Sequence, residues 1–219
     1  MSLRALFFDF DGLILDTETP EVEVWSEVFA EHGQVYPDEY WMGCIGRGAD
    51  QIAERPIQLL ARICPESKDW AAIDEDRRRR LHRMIDAQPV RAGVIELITE
   101  ARSQDLKVAV VSSSHHAWVD PYLERLGIRN LFDRSICRDD AEHAKPFPHL
   151  YLKACEIFHV EPSEAIAFED SPNGLRAAKA AGIFAVAVPN ATTARLDLSH
   201  ADARFETLSE VTLGCLSTL

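Results

Sequence analysis

Ala5-Leu6-Phe7-Phe8-Asp9-Phe10-Asp11-Gly12 is the stretch from which the fold is read. Ala5 to Phe10 reads as a short apolar run, the pattern of a strand covered on both faces, and the stretch closes on two carboxylates and a glycine. Four later runs repeat the pattern: Lys107 to Ser112, Arg134 to Cys137, Ala165 to Phe168 and Ile183 to Val188. Between them the apolar residues take a helical period. Val94, Leu97, Ile98 and Ala101 share one stripe, and Trp118, Tyr122, Leu123 and Leu126 share another. Pro172 to Ala181 opens on proline and closes before Gly182, the asymmetry expected of a helix. Strands alternating with helices predict an α/β fold, a Rossmann-like parallel sheet core flanked by helices.

From about Thr17 to Gln88 the alternation stops. Val22, Trp25, Val28 and Phe29 keep helical spacing, and Ile52, Ile57, Leu60 and Ile63 keep it in pieces, with no strand-like run. The expected organisation is therefore an inserted helical cap domain over residues 17–88, with residues 1–16 and 89–219 forming the catalytic core. Lying between the first two strands, the insertion should sit at the catalytic edge of the sheet.

Composition narrows the partners. The formal net charge of -13 repels polyanions, which argues against nucleic acid or an anionic membrane as a general partner. An anionic substrate must then be drawn in locally, by a metal or a few placed cations. The cysteines (Cys44, Cys64, Cys137, Cys155, Cys215) are odd in number and widely spaced, and read as reduced thiols. The apolar start at Leu3 meets Asp9 too soon for a signal peptide. No run approaches the roughly 18 apolar residues of a membrane span. The expectation is a soluble cytoplasmic protein, a monomer or weak homodimer.

In an open parallel sheet, ligands bind beyond the carboxyl ends of the strands, so the residues closing each apolar run carry the functional information. They are polar here: Asp9-Phe10-Asp11-Gly12, Ser112-Ser113-Ser114 and Glu169-Asp170-Ser171, with a Lys145-Pro146 pair ahead of the helix after the third run. Carboxylates gathered on one rim require a cation, and hard oxygen donors suit Mg²⁺. Asp9 and Asp11, two apart on an extended chain, share a face and can flank one phosphorus, one as attacker and the other as proton donor. Ser112 offers a hydroxyl, although Ser113 or Ser114 could supply the decisive one, and the backbone N–H groups that follow open a helix that can seat an anion. Lys145 adds a positive charge.

These residues resemble the haloacid dehalogenase superfamily, within it the helical-cap subfamily that contains beta-phosphoglucomutase and sugar-phosphate phosphatases. The first motif stands as Phe8-Asp9-Phe10-Asp11-Gly12-Leu13-Ile14-Leu15-Asp16-Thr17-Glu18, the second as Val110-Val111-Ser112-Ser113-Ser114, the third as Lys145-Pro146-Phe147-Pro148, and the fourth as Phe168-Glu169-Asp170-Ser171-Pro172-Asn173-Gly174. The resemblance implies a phosphatase acting on a small phosphorylated metabolite through an aspartyl-phosphate on Asp9, with Asp11 as acid and then base. Asp9, the Asp11 carbonyl, Asp170 and, in or near the shell, Glu169 would hold Mg²⁺. Ser112, Ser113 and Lys145 would bind the phosphoryl group. Arg47, in Gly46-Arg47-Gly48, and His115 are the substrate-contacting candidates that the same resemblance suggests.

The mutases of the subfamily carry a cap histidine where this chain has Thr19-Pro20-Glu21, which makes a sugar phosphomutase the alternative and a non-catalytic binding module a more distant one. In the third motif Ala144 precedes Lys145 and His149 follows Pro148, both departures from the usual pattern. Arg77 to Arg80 read as a solvated face, since Asp74, Glu75 and Asp76 stand four residues before Arg78, Arg79 and Arg80. Trp25, Trp41, Trp70 and Trp118 read as packing residues.

Overall fold

The computed structural model describes residues 3–47, 52–64 and 68–216. Gly48 of the Gly46-Arg47-Gly48 turn lies outside the described residues. Strand β1 (Ala5–Phe8) is flanked by β2 (Lys107–Val111) on one side and β4 (Ala165–Glu169) on the other. β3 (Arg134–Ile136) lies beyond β2, while β5 (Phe184–Ala187) and β6 (Ala203–Arg204) lie beyond β4. Every pairing is parallel, in the order β3-β2-β1-β4-β5-β6. The expected α/β fold is what forms. The first strand, however, stops at Phe8 rather than Phe10, and the two-residue β6 has no counterpart among the apolar runs, being too short to carry a period.

Alternation along β1 divides the core in two. Leu6 and Phe8 face one side, with Val94, Leu97, Ile98 and Ala101 of helix α5 (Val94–Ser103) and Val119, Tyr122 and Leu123 of α6 (His116–Arg125). Ala5 and Phe7 face the other, with Leu150, Tyr151 and Ala154 of α7 (His149–Phe158) and Leu175, Ala177 and Ala178 of α8 (Pro172–Ala180). Phe8 stacks on Phe168 of β4 at 5.0 Å between ring centroids. All four β1 side chains are fully buried, and each large one contributes about 1.5–3 kcal/mol. At α8 the Ser171 hydroxyl accepts from the Gly174 N–H and Pro172 opens the first turn.

Between β1 and β2 the chain runs through α1 (Glu18–Glu31), α2 (Asp38–Met42), α3 (Pro56–Ile63) and α4 (Trp70–Asp86). Ile52 lies outside these helices. Val24, Val28, Leu60 and Ile85 join the same apolar cluster as Leu6 and Phe8, so the helical segment shares a continuous core with that side of the sheet. The reading of Arg77 to Arg80 needs one correction. Arg78, Arg79 and Arg80 pair with Asp74, Glu75 and Asp76 at 2.9, 3.3 and 2.7 Å, as the spacing predicts. Arg77 instead is buried, stacked over Trp25 at 4.6 Å and bonded to Glu21 and Asp74. Its place one residue earlier turns it from solvent towards α1. Among the described residues no helix is long and apolar enough to cross a membrane.

The strand order reverses between β1 and β4, and the crevice beyond their carboxyl ends is where such a sheet binds ligands. Asp9 leaves one of these strands, and Glu169 closes the other ahead of Asp170.

Candidate active site

Asp9 directly follows β1 and its N–H donates to the Phe168 carbonyl at 3.0 Å, which fixes it beside the end of β4. Lys145 comes up from the loop between β3 and α7, in a segment with a cis Lys145–Pro146 peptide. Its fully buried ammonium donates to Asp9 Oδ1 at 2.7 Å and to the Val111 carbonyl at 2.8 Å, and lies 2.6 Å from Glu169 Oε1. Burial opposes that charge, but Asp9 and Glu169 outweigh it and hold the lysine above its usual range. The Tyr151 hydroxyl also donates to Glu169 Oε1.

One lysine does not neutralise the acids around it. Asp9, Glu169 and Asp170, all buried, each offer an oxygen, and these lie within 4.8 Å of one another. Asp170 Oδ2 accepts from Asn190 Nδ2 at 2.9 Å, whereas Asp170 Oδ1 and Glu169 Oε2 are buried without a hydrogen-bond partner among the described residues. Burial, then the charges of Asp9, Glu18 and Glu169, pushes Asp170 well above the carboxylate range; burial and Asp9 push Glu169 up to about 8. Orphaned oxygens in an all-oxygen donor set, with uncompensated negative charge, fit a hard divalent cation. The turn is built for close approach: Gly12 has φ +79°, and a Cβ there would lie 2.0 Å from Asp170 Oδ2.

Asp11 is held by a different set of donors. The Ser114 hydroxyl donates to its Oδ2 at 2.6 Å, the Trp118 indole N–H to its Oδ1 at 2.8 Å, and the Ser112 hydroxyl reaches Oδ2 at 3.4 Å. Burial raises the Asp11 carboxyl and Asp9 adds to the rise, against the pull of Ser114 and Trp118. Ser112 is fully buried and its oxygen accepts the Ser114 N–H at 3.0 Å. Ser113 reaches across to the helical segment, donating to the Gly46 carbonyl at 3.1 Å.

Asp9 and Asp11 open into a cavity of about 560 Å³, whose walls include Glu18, Trp41, Arg47 and Trp118. Arg47 is exposed there, and His115, at the start of α6, lines the same cavity with its Nδ1 on Asp139 at 2.8 Å. Asp9, Asp11, Ser112, Lys145, Glu169 and Asp170 thus converge on one point, with Ser113, Arg47 and His115 around the cavity beside them.

A family profile described as haloacid dehalogenase-like hydrolase matches residues 6–188, a span that contains every one of these residues. The chain belongs to this family. Among curated relatives of this hydrolase, YhcW of Bacillus subtilis is 40% identical over 214 residues, covering 98% of this chain and 96% of its own. Validoxylamine A 7'-phosphate phosphatase of Streptomyces hygroscopicus is 32% identical, with 95% of each chain covered. Fructose-1-phosphate phosphatase YqaB of Escherichia coli is 29% identical over 84% of this chain and 95% of its own. Among solved structures, beta-phosphoglucomutase from Clostridium difficile shares the fold at a TM-score of 0.73 and 21% identity, covering 99% of this chain and 96% of that one.

Several residues that build the hydrolase site escaped sequence reasoning. Trp118 was expected only to pack; it also stacks edge-on with Tyr122, but its N–H is spent on Asp11. Arg91 donates to the Gly12 and Pro189 carbonyls, tying the turn after β1 to the loop after β5. Glu18 is buried beside Trp41, which donates to it at 3.3 Å; burial, then Asp11 and Glu21, raises its carboxyl well above the usual range. Asn190 left a signal, since it stands just past the apolar run that ends at Val188, where polar strand ends are informative, and Glu18 closes the first motif, although with no role assigned to it. Trp118, Arg91 and Tyr151 left none, because their partners lie tens of residues away.

Proposed function

We propose that this hydrolase is a Mg²⁺-dependent phosphatase of a small phosphate monoester, a sugar phosphate or similar metabolite, working through an aspartyl-phosphate on Asp9. Residues 17–88 would act as a cap over the cavity. The observation that carries the reading is the division of labour between the two aspartates: Asp9 shares a buried lysine with Glu169, while Asp11 is bound by Ser114 and Trp118. Relatives named for fructose 1-phosphate and validoxylamine A 7'-phosphate support the substrate class.

In this mechanism an Asp9 carboxylate oxygen attacks phosphorus as the bond to the leaving oxygen breaks. Asp11, whose carboxyl burial raises above the usual carboxylate range, delivers a proton to that oxygen. In the second half, ionised Asp11 takes a proton from water, the water oxygen bonds to phosphorus, and Asp9 is released with inorganic phosphate. Lys145 fixes the Asp9 carboxylate and places positive charge beside the phosphoryl oxygens, and the Ser112 hydroxyl offers a donor to the same oxygens. Asp9, Asp170, the Asp11 carbonyl and the neighbouring Glu169 would hold Mg²⁺, which supplies charge neutralisation for the phosphoryl group when bound. Glu18 and Arg47, on the cavity wall, would meet the leaving group.

The test is phosphate release from a panel of sugar phosphates, nucleotides and phosphoglycolate, with and without Mg²⁺, for wild type and Asp9→Asn. Mg²⁺-dependent release lost in the variant supports the reading. No release from wild type on any substrate, or undiminished release by Asp9→Asn, overturns it.

A further inference from the structure

The loop that delivers Lys145 carries a second group of ligand-type side chains on its outer side. Glu142, His143 and His149 each offer one ligand atom, and the three atoms lie within 4.8 Å of one another. Two of these residues precede the Ala144–Lys145–Pro146 turn and the third opens α7, so the turn folds the chain back on itself. The His143 and His149 rings stack at 5.1 Å with 26° between planes, and Glu142 Oε1 lies 3.6 Å from His143 Nε2. Phe147, half-exposed, packs its ring on His143 at 5.0 Å and forms an apolar wall.

The chemistry differs from that of the catalytic carboxylates. Asp9, Glu169 and Asp170 form a buried, all-oxygen set suited to a hard ion. Glu142, His143 and His149 are solvent-accessible and contribute two imidazoles and one carboxylate, the donor mix of borderline transition metals. His149 also carries an unexplained feature, a buried Nδ1 with no hydrogen-bond partner among the described residues. Native structures seldom leave a buried polar atom unmatched, and an ion held by this group would give the ring the partner it lacks. Glu142 and His143 are 80% and 47% exposed in their side chains, free to close the remaining distance to ordinary ligand spacing.

We propose that Glu142, His143 and His149 form a second metal site, selective for a zinc-class divalent ion over Mg²⁺, on the outside of the turn whose inner side presents Lys145. Binding closes the two ends of that turn on one ion. The site stands independently of the phosphatase reading, since none of its ligands belongs to the reacting cluster.

The full chain, held in saturating Mg²⁺ to occupy the oxygen cluster, is titrated with Zn²⁺ against a chromophoric chelator. Wild type should take up one equivalent. Loss of an orienting partner of a metal ligand already weakens binding 10–100-fold, so removing a ligand outright in His143→Gln or His149→Gln should weaken Zn²⁺ binding by about tenfold or more. Co²⁺ should give the intense visible absorption of a nitrogen-bearing site of low coordination number in wild type and not in the variants. Circular dichroism of both variants checks that the fold is kept. Absence of a stoichiometric Zn²⁺ site in wild type, or equal affinity in wild type and both folded variants, overturns the proposal.

Discussion

The indole N–H of Trp118 donates to Asp11 Oδ1 at 2.8 Å, across 107 residues of sequence. The same ring meets His82 of α4 at 5.5 Å between centroids, so one side chain touches both Asp11, the proposed acid-base aspartate, and the helical segment. Trp118→Phe keeps an aromatic ring at this position and removes the pyrrole ring with its donor. A hydrogen bond to a charged group is worth about 1.5–3 kcal/mol, and about 1.4 kcal/mol is tenfold in rate. The variant should lose roughly tenfold or more in kcat with a much smaller change in KM and a modest fall in melting temperature from the lost packing, read by steady-state kinetics and calorimetry. An unchanged kcat would show that Ser114 alone suffices to place Asp11.

Lys145 is the only cation within bonding distance of Asp9 and Glu169 among the described residues. Lys145→Met leaves two buried carboxylates unpaired, and breaking a buried pair by removing one partner costs about 3–5 kcal/mol. Urea denaturation of the metal-free protein should report a loss of that size together with lost phosphatase activity. A loss below about 1 kcal/mol would mean that the ammonium is far better solvated than its burial indicates.

Gly12→Ala places a methyl 2.0 Å from Asp170 Oδ2 at a backbone φ of +79°. Left-handed backbone costs an alanine about 1–2 kcal/mol, and the clash displaces the carboxylate that Asn190 holds. The variant should melt lower and bind Mg²⁺ at least about tenfold more weakly, the scale seen when a ligand loses its support; isothermal titration would measure the second effect. Full Mg²⁺ affinity in a folded variant would remove Asp170 from the metal set.

Burial, then Asp9, raises Glu169 from the ordinary glutamate range to about 8. In the metal-free protein the folded state therefore binds more protons than the unfolded chain between about pH 4.3 and that value, and stability falls as pH rises through this window. Mg²⁺ competes with those protons, so its stabilising effect should grow over the same interval. Thermal melts at pH 5.5, 6.5 and 7.5, in chelator and in excess Mg²⁺, should diverge progressively with rising pH. A Mg²⁺ shift that is constant across that range would contradict the linkage.

Local patterning is enough to specify much of this molecule. The continuous run Ala5 to Phe8 had to be a strand buried on both faces, because both of its alternating sets are apolar. Val94, Leu97, Ile98 and Ala101 had to form the buried stripe of a helix, and Pro172 and Gly182 bracket α8 through backbone preferences that need no partner. The polar residues closing the apolar runs marked the catalytic rim, since parallel strands carry all their carboxyl ends to one side. What the chain could not disclose is how remote side chains are spent. Trp118 looks like one more packing aromatic until α6 swings its N–H over Asp11, and Arg77 looks like its three solvated neighbours until α1 covers it. Asp170 keeps one oxygen satisfied only because Asn190 returns from beyond β5, and the imidazoles of His143 and His149 meet only because the Lys145 turn doubles back. Backbone preference and hydrophobic period act over a few residues and are written in the sequence, whereas hydrogen-bond partners separated by tens of residues are set only by the packing of whole elements.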